Sequence, residues 1–112
     1  MTRDPDWAGL SALEKDWNTY GSDQPSQEAL AAARGAYLGC VVKPRVVPCV
    51  EGGVSLVWMH EDRYADIEFF NEGVIVAITY NRATGRHKVW YVLGIGWTLS
   101  DLQYFMKTGR YR

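Results

Sequence analysis

Asp66 and Glu68 are the residues whose types and spacing come nearest to chemistry. They stand at i and i+2 in the stretch Tyr64–Phe70, alternating with Ala65, Ile67 and Phe69. In an extended chain both carboxylates project from one face, roughly 6–7 Å apart by strand rise. Such a pair is compatible with glycoside hydrolysis, in which one carboxyl group delivers a proton and the other assists. The same alternation is also the ordinary signature of a half-buried strand, with Asp66 and Glu68 on its wet side. The solvated face is the favoured reading, and a small hydrolase using Asp66 and Glu68 stands as a second alternative. No residue is assigned a catalytic role.

Other chemistries find less support. The two histidines, His60 and His87, form no close pair with a Cys or His at ligand spacing, so no metal site and no cofactor is expected. Cys40 and Cys49 lack a Cys-x-x-Cys arrangement and no local feature links either to a histidine. Both read as packed thiols. Gly94-x-Gly96 is not a phosphate loop, because no third glycine, lysine or hydroxyl residue follows at the needed offset.

The elements that must position Asp66 and Glu68 read as an antiparallel meander. Val54–Met59, Tyr64–Phe70 and Val74–Tyr80 are predicted strands, joined by His60–Arg63 and by Asn71-Glu72-Gly73. Cys40–Val50 carries Pro44 and Pro48 and fits an edge strand or connector. Arg86–Leu93 returns as a further strand after the Asn81–Gly85 turn. Before the sheet, helices are predicted over Asp6–Trp17, with Trp7, Leu10, Leu13 and Trp17 on one side, and over Gln27–Tyr37, with Ser26 as N-cap. In the second, Gly35 would permit close approach to the sheet. After the sheet, Thr98-Leu99-Ser100-Asp101 matches a capping-box helix start, and Gly109 ends that helix. The fold class is α+β: two N-terminal helices, an antiparallel β-meander of four to five strands and a C-terminal helix, all in one domain spanning residues 1–112.

Length and composition set the outer limits. At 112 residues, with 47% hydrophobic and 22% charged residues, the chain has the make-up of one globular domain. A net charge of −1 predicts no strong pull toward nucleic acid or a membrane. Charge is nevertheless segregated along the chain: residues 1–81 hold 6 basic and 12 acidic side chains, and residues 82–112 hold 6 basic and 1 acidic. With no secretory apolar segment, a cytoplasmic protein with reduced thiols is expected.

The run Asp16-Trp17-Asn18-Thr19-Tyr20-Gly21, then Pro25-Ser26 and an alanine-rich helix, resembles a family of small bacterial and phage proteins of mobile elements. Those chains share an Asp-Trp-Asn-x-Tyr-Gly motif, a proline, a helix and a Gly-Gly hairpin with a Trp in the next strand. Here the later part is Gly52-Gly53-Val54 through Trp58, then Ala65–Glu68 and Asn71-Glu72-Gly73, so the likeness spans about residues 10–80. The resemblance carries over no catalytic residue. By itself the motif reads as a turn: Trp17 closes an apolar stripe, Asn18 caps, Tyr20 packs back and Gly21 permits the reversal.

Two binding surfaces follow. In the first, Glu61, Asp62, Asp66, Glu68 and Glu72 form an acidic strip that competes for a basic groove on a host protein complex. Joined to the mobile-element resemblance, this implies a non-enzymatic inhibitor of a host defence complex, anti-CRISPR-like in kind, acting as a monomer or homodimer. The second is a nucleic-acid-binding accessory role for Arg82, Arg86, Lys88, Lys107, Arg110 and Arg112, interleaved with aromatic residues that could stack bases. It ranks behind the first, because the overall balance is slightly acidic.

Overall fold

The computed structural model describes residues 5–111. Eight elements follow one another: α1 (Trp7–Ser11), α2 (Gln27–Leu38), β1 (Arg45–Pro48), β2 (Gly53–His60), β3 (Arg63–Phe70), β4 (Ile75–Asn81), β5 (His87–Tyr91) and α3 (Ile95–Thr108). The strands form one sheet in the order β1-β2-β3-β4-β5, and every neighbouring pair is antiparallel. The α+β class and the meander expected from the sequence are therefore present, with five strands.

A glycine fixes the meander where β2 begins beside the end of β3. Gly53 has φ 133°, and a Cβ there would lie 2.1 Å from the Phe69 carbonyl oxygen. No other residue fits at that crossing of β2 and β3. At the far end of the same hairpin only Glu61 and Asp62 separate His60 from its partner Arg63.

Both long helices lie on one face of the sheet. Leu30, Ala33 and Tyr37 of α2 and Leu99, Leu102 and Phe105 of α3 pack on Val54, Leu56, Trp58, Ala65, Ile67, Phe69 and Ala77. Small residues on α2 allow this close layer, and burying the larger ones contributes roughly 1.5–3 kcal/mol each. Ser26 caps α2 by accepting the Ala29 N–H at 3.0 Å. Gly109 closes α3 at φ 75°, donating its N–H to the Phe105 carbonyl at 2.7 Å. Asn71 latches the β3–β4 turn to this layer: it accepts the Ser26 N–H at 2.7 Å and donates to the Gln24 carbonyl at 2.9 Å.

The first helix is much shorter than its apolar spacing predicts, stopping at Ser11 rather than Trp17. Polar side chains of the Asp16–Ser22 segment bond to nearby backbone and compete with helical hydrogen bonding. Asp16, at φ 64°, accepts the Gly21 N–H at 2.6 Å, and Asn18 accepts the Tyr20 N–H at 3.0 Å. Trp17 turns away to donate its indole N–H to the Asp23 carbonyl at 3.0 Å. Tyr20 does not pack back; it is 88% exposed. Gly35 is also exposed, with open space where a Cβ would stand, so it serves no close approach. The last helix begins at Ile95, with Gly94 as N-cap and Thr98 buried inside it, so the capping box is not used.

Candidate binding face of the sheet

The face of the sheet opposite α2 and α3 carries neither helix. Strand register lays its side chains in three rows. The first runs Arg45, Val57, Asp66, Ile78, Val89, and the second Val47, Ser55, Glu68, Val76, Tyr91. The third holds Met59, Tyr64, Tyr80 and His87. An open antiparallel face is ordinarily polar. This one is mostly apolar, with Asp66 and Glu68 side by side at its middle strand.

Each acid is hemmed in by its row. Asp66 lies between Val57 and Ile78, and Glu68 between Ser55 and Val76. Asp66 is 4% exposed, which corrects the expectation of a wet position. Its neighbours, rather than a covering element, take it out of water. The Tyr64 hydroxyl donates to Asp66 Oδ2 at 2.5 Å, while buried Oδ1 has no hydrogen-bond partner. A buried carboxylate oxygen with no donor is costly, so the site is short of one donor or cation.

The electrostatics agree. Burial pushes Glu68 up to about 7, and the charges of Asp66 and Glu51 add to the shift. Burial also raises Asp66, partly offset by the hydrogen bond from Tyr64. Tyr64 itself is driven upward, first by burial and then by its bond to Asp66. Cys49, whose Sγ lies 2.9 Å from Ser55 Oγ, is pushed up to about 11 by burial and remains a thiol. Four acidic groups thus crowd one region, and none of these shifts has a basic residue among its causes.

The remaining acids of the expected strip lie elsewhere. Glu61 and Asp62 occupy the β2–β3 turn, and Glu72 the β3–β4 turn, at opposite ends of β3. Eight residues of strand separate those turns by roughly 26 Å. Only Asp66 and Glu68 are brought together.

The basic set converges more than its sequence spread suggests. Arg82 lies in the β4–β5 turn, where its N–H bonds the Asp62 carbonyl at 2.8 Å. The Arg86 guanidinium stands 5.4 Å from the Tyr111 ring centre, and Lys88 Nζ 4.9 Å from that of Trp90. Lys107 and Arg110 are exposed near the end of α3, and Arg112 lies outside the described residues. Arg63, absent from the expected set, bonds the carbonyls of Met106 and Lys107 at 3.0 and 2.8 Å. Two aromatics of this region are already engaged: Tyr111 stacks on Phe105 at 5.2 Å and shares a 2.7 Å hydrogen bond with Thr79.

The nucleophile and metal alternatives gain no geometry. Cys40 and Cys49 are free and buried, burial raises both thiols, and His60 and His87 are exposed. Cys40 donates to the Ala36 carbonyl. Among the described residues no three His, Cys, Asp or Glu side chains gather to hold a metal ion. A groove of about 1080 Å³ opens between α3 and β2, lined by Val42, Trp58, Leu99 and Met106, with neither Asp66 nor Glu68 among its walls. No described helix is long and apolar enough to cross a membrane.

The open face was missed at the sequence level, yet a signal exists. Val54–Met59 and Val74–Ile78 are nearly continuous apolar runs, the mark of strands with two apolar faces. Compared with known families, characterised proteins and solved structures, the chain matches none.

Proposed function

We propose that the chain is a non-catalytic protein-binding module whose partner docks on the open sheet face. The partner presents a lysine or arginine flanked by apolar side chains. Its cation meets Asp66 Oδ1 and Glu68, and its apolar flanks cover Val57, Val76 and Ile78. The observation that carries this reading is the unpartnered Asp66 Oδ1 in the middle of an apolar face. A charge so placed gains most from a counter-charge that arrives together with exclusion of water. Large exposed apolar patches of this kind mark interaction surfaces.

The hydrolase alternative uses the same carboxyl groups, and Glu68 near 7 has the acidity of a general acid. Neither Asp66 nor Glu68, however, lines the groove between α3 and β2, so the pair has no cleft in which to seat a sugar chain. Within the binding reading, the resemblance to mobile-element proteins supports an inhibitor that occupies a basic surface of a host defence complex. That surface would be narrower than the five-residue acidic strip: Asp66 and Glu68 bind, and Glu61, Asp62 and Glu72 steer.

Affinity capture from the host tests this, comparing wild type with Glu68→Lys, Ile78→Asp and Glu72→Lys. A partner that is retained by wild type and Glu72→Lys and lost by the other two supports the reading. Purified, that partner should lose activity on stoichiometric addition of the chain. A partner held equally by Glu68→Lys and Ile78→Asp would refute it.

A further inference from the structure

The two edges of the sheet are built differently. β1 spans four residues, begins after Pro44 and ends in Pro48, and proline cannot donate to a new ladder. β5 has five residues, no proline and, among the described residues, β4 as its only strand neighbour. The Val92 N–H bonds the Ile75 carbonyl at 2.8 Å and the Arg86 carbonyl accepts the Asn81 N–H at 2.9 Å. Even-numbered residues therefore turn their backbone groups toward β4. By the alternation of an antiparallel ladder, His87, Val89 and Tyr91 turn theirs outward. On the same edge the side chains of Val89 and Tyr91 are 58% and 74% exposed. Lys88 is the one charged guard on this edge, and its ammonium lies over the Trp90 ring of its own strand.

We propose that β5 pairs antiparallel with β5 of a second copy, about a two-fold axis through Val89, joining two five-stranded sheets into one of ten strands. The register follows from the outward residues. With the axis at Val89, Val89 faces its own copy and His87 faces Tyr91 in both directions. Every outward backbone group then meets an outward group, and the seam closes with six N–H···O bonds. An axis through Lys88 or Trp90 would also set outward residues against each other, but only as His87–Val89 or Val89–Tyr91 pairs, closing four such bonds within the strand instead of six.

Side-chain chemistry favours a second copy over a foreign strand. In this register Lys88 faces Trp90 of the other copy rather than its own equivalent, so the like charges of the two strands are staggered. Lys88 already lies over Trp90 within one chain, and the same pairing across the seam is a cation–π contact. Val89 meets Val89, a β-branched pair suited to strand pairing. Asp66 and Glu68 lie on β3, two strands in from the seam, so the dimer leaves the docking face open.

Light scattering after gel filtration, combined with amide exchange on the wild-type chain over a dilution series, tests the proposal. The expected result is a species of twice the 12.7 kDa chain mass that dissociates on dilution. The amides of His87, Val89 and Tyr91 should exchange roughly tenfold or more slowly in the dimer than in the dilute monomer. Val89→Lys places like charges on the axis and should run at the single-chain mass with an unchanged far-UV spectrum. Glu68→Lys, which abolishes partner capture, should leave the dimer intact. A wild-type chain that stays monomeric at millimolar concentration overturns the proposal. So does a dimer in which those three amides exchange as fast as in the monomer.

Discussion

Tyr64 and Asp66, two residues apart on β3, are joined by a 2.5 Å hydrogen bond from the phenol to Oδ2, and the other carboxylate oxygen has no partner. The bond does two things at once. It holds Asp66 against the sheet, and it leaves the unsatisfied oxygen as the strongest acceptor on an otherwise apolar face. Tyr64 is therefore a positioning residue for whatever meets Asp66.

Tyr64→Phe should destabilise the fold by about 1–2 kcal/mol, since a buried charged acceptor loses its one donor. Urea unfolding checks this. The same variant should raise the pKa of Asp66 further, because the bond from Tyr64 is what now lowers it. The carboxyl carbon resonance of Asp66, followed against pH, reads that shift.

Stability should fall as pH rises between 4.5 and about 7. Glu68 has a folded pKa above its ordinary value, so the folded chain holds the proton more tightly than the unfolded chain. Its contribution is fully present below the unfolded pKa and is lost as pH climbs through the folded one. Asp66 acts in the same sense. At a half-buried site screened by solvent, the Glu68 part is on the order of 1–2 kcal/mol. Glu68→Gln should flatten the profile, as measured by denaturation midpoints across that window, and a profile that rises with pH would contradict the assignment.

Gly53→Ala and Gly85→Ala should differ sharply. At Gly53 the new Cβ meets the Phe69 carbonyl, whereas at Gly85, φ 75°, it meets open space. The first should cost about 3 kcal/mol or more and the second about 1 kcal/mol, the conformational term alone. Thermal melting of the two variants side by side measures the gap.

Partner binding should strengthen as Glu68 ionises. Above about 7 Glu68 carries its negative charge, and below that it is protonated and meets a cation weakly. Affinity for the captured partner, measured on either side of that value, should be several-fold higher on the alkaline side in wild type. The difference should disappear in Glu68→Gln.

Local chemistry settled the β-meander and most of the caps. Ala65, Ile67 and Phe69 alternate because one side of β3 must be buried, and Ser26 and Gly109 mark helix ends through hydrogen bonds that reach only a few residues. These were legible because each depends on neighbours in the chain. The same logic failed where polar side chains of one turn competed with a helix, as Asp16 and Asn18 do beyond α1.

Tertiary structure alone decided what Asp66 and Glu68 are. The alternation on β3 places both carboxylates on the face away from Ile67, but it does not say what stands beside them. That depends on Val57, Ile78, Ser55 and Val76, contributed by β2 and β4 and brought level only by strand register. Register likewise sorted the backbone groups of β5 into those turned to β4 and those turned outward. The sequence determined a sheet with acids on one side. Solvation of those acids is set across strands, where no spacing along the chain records it.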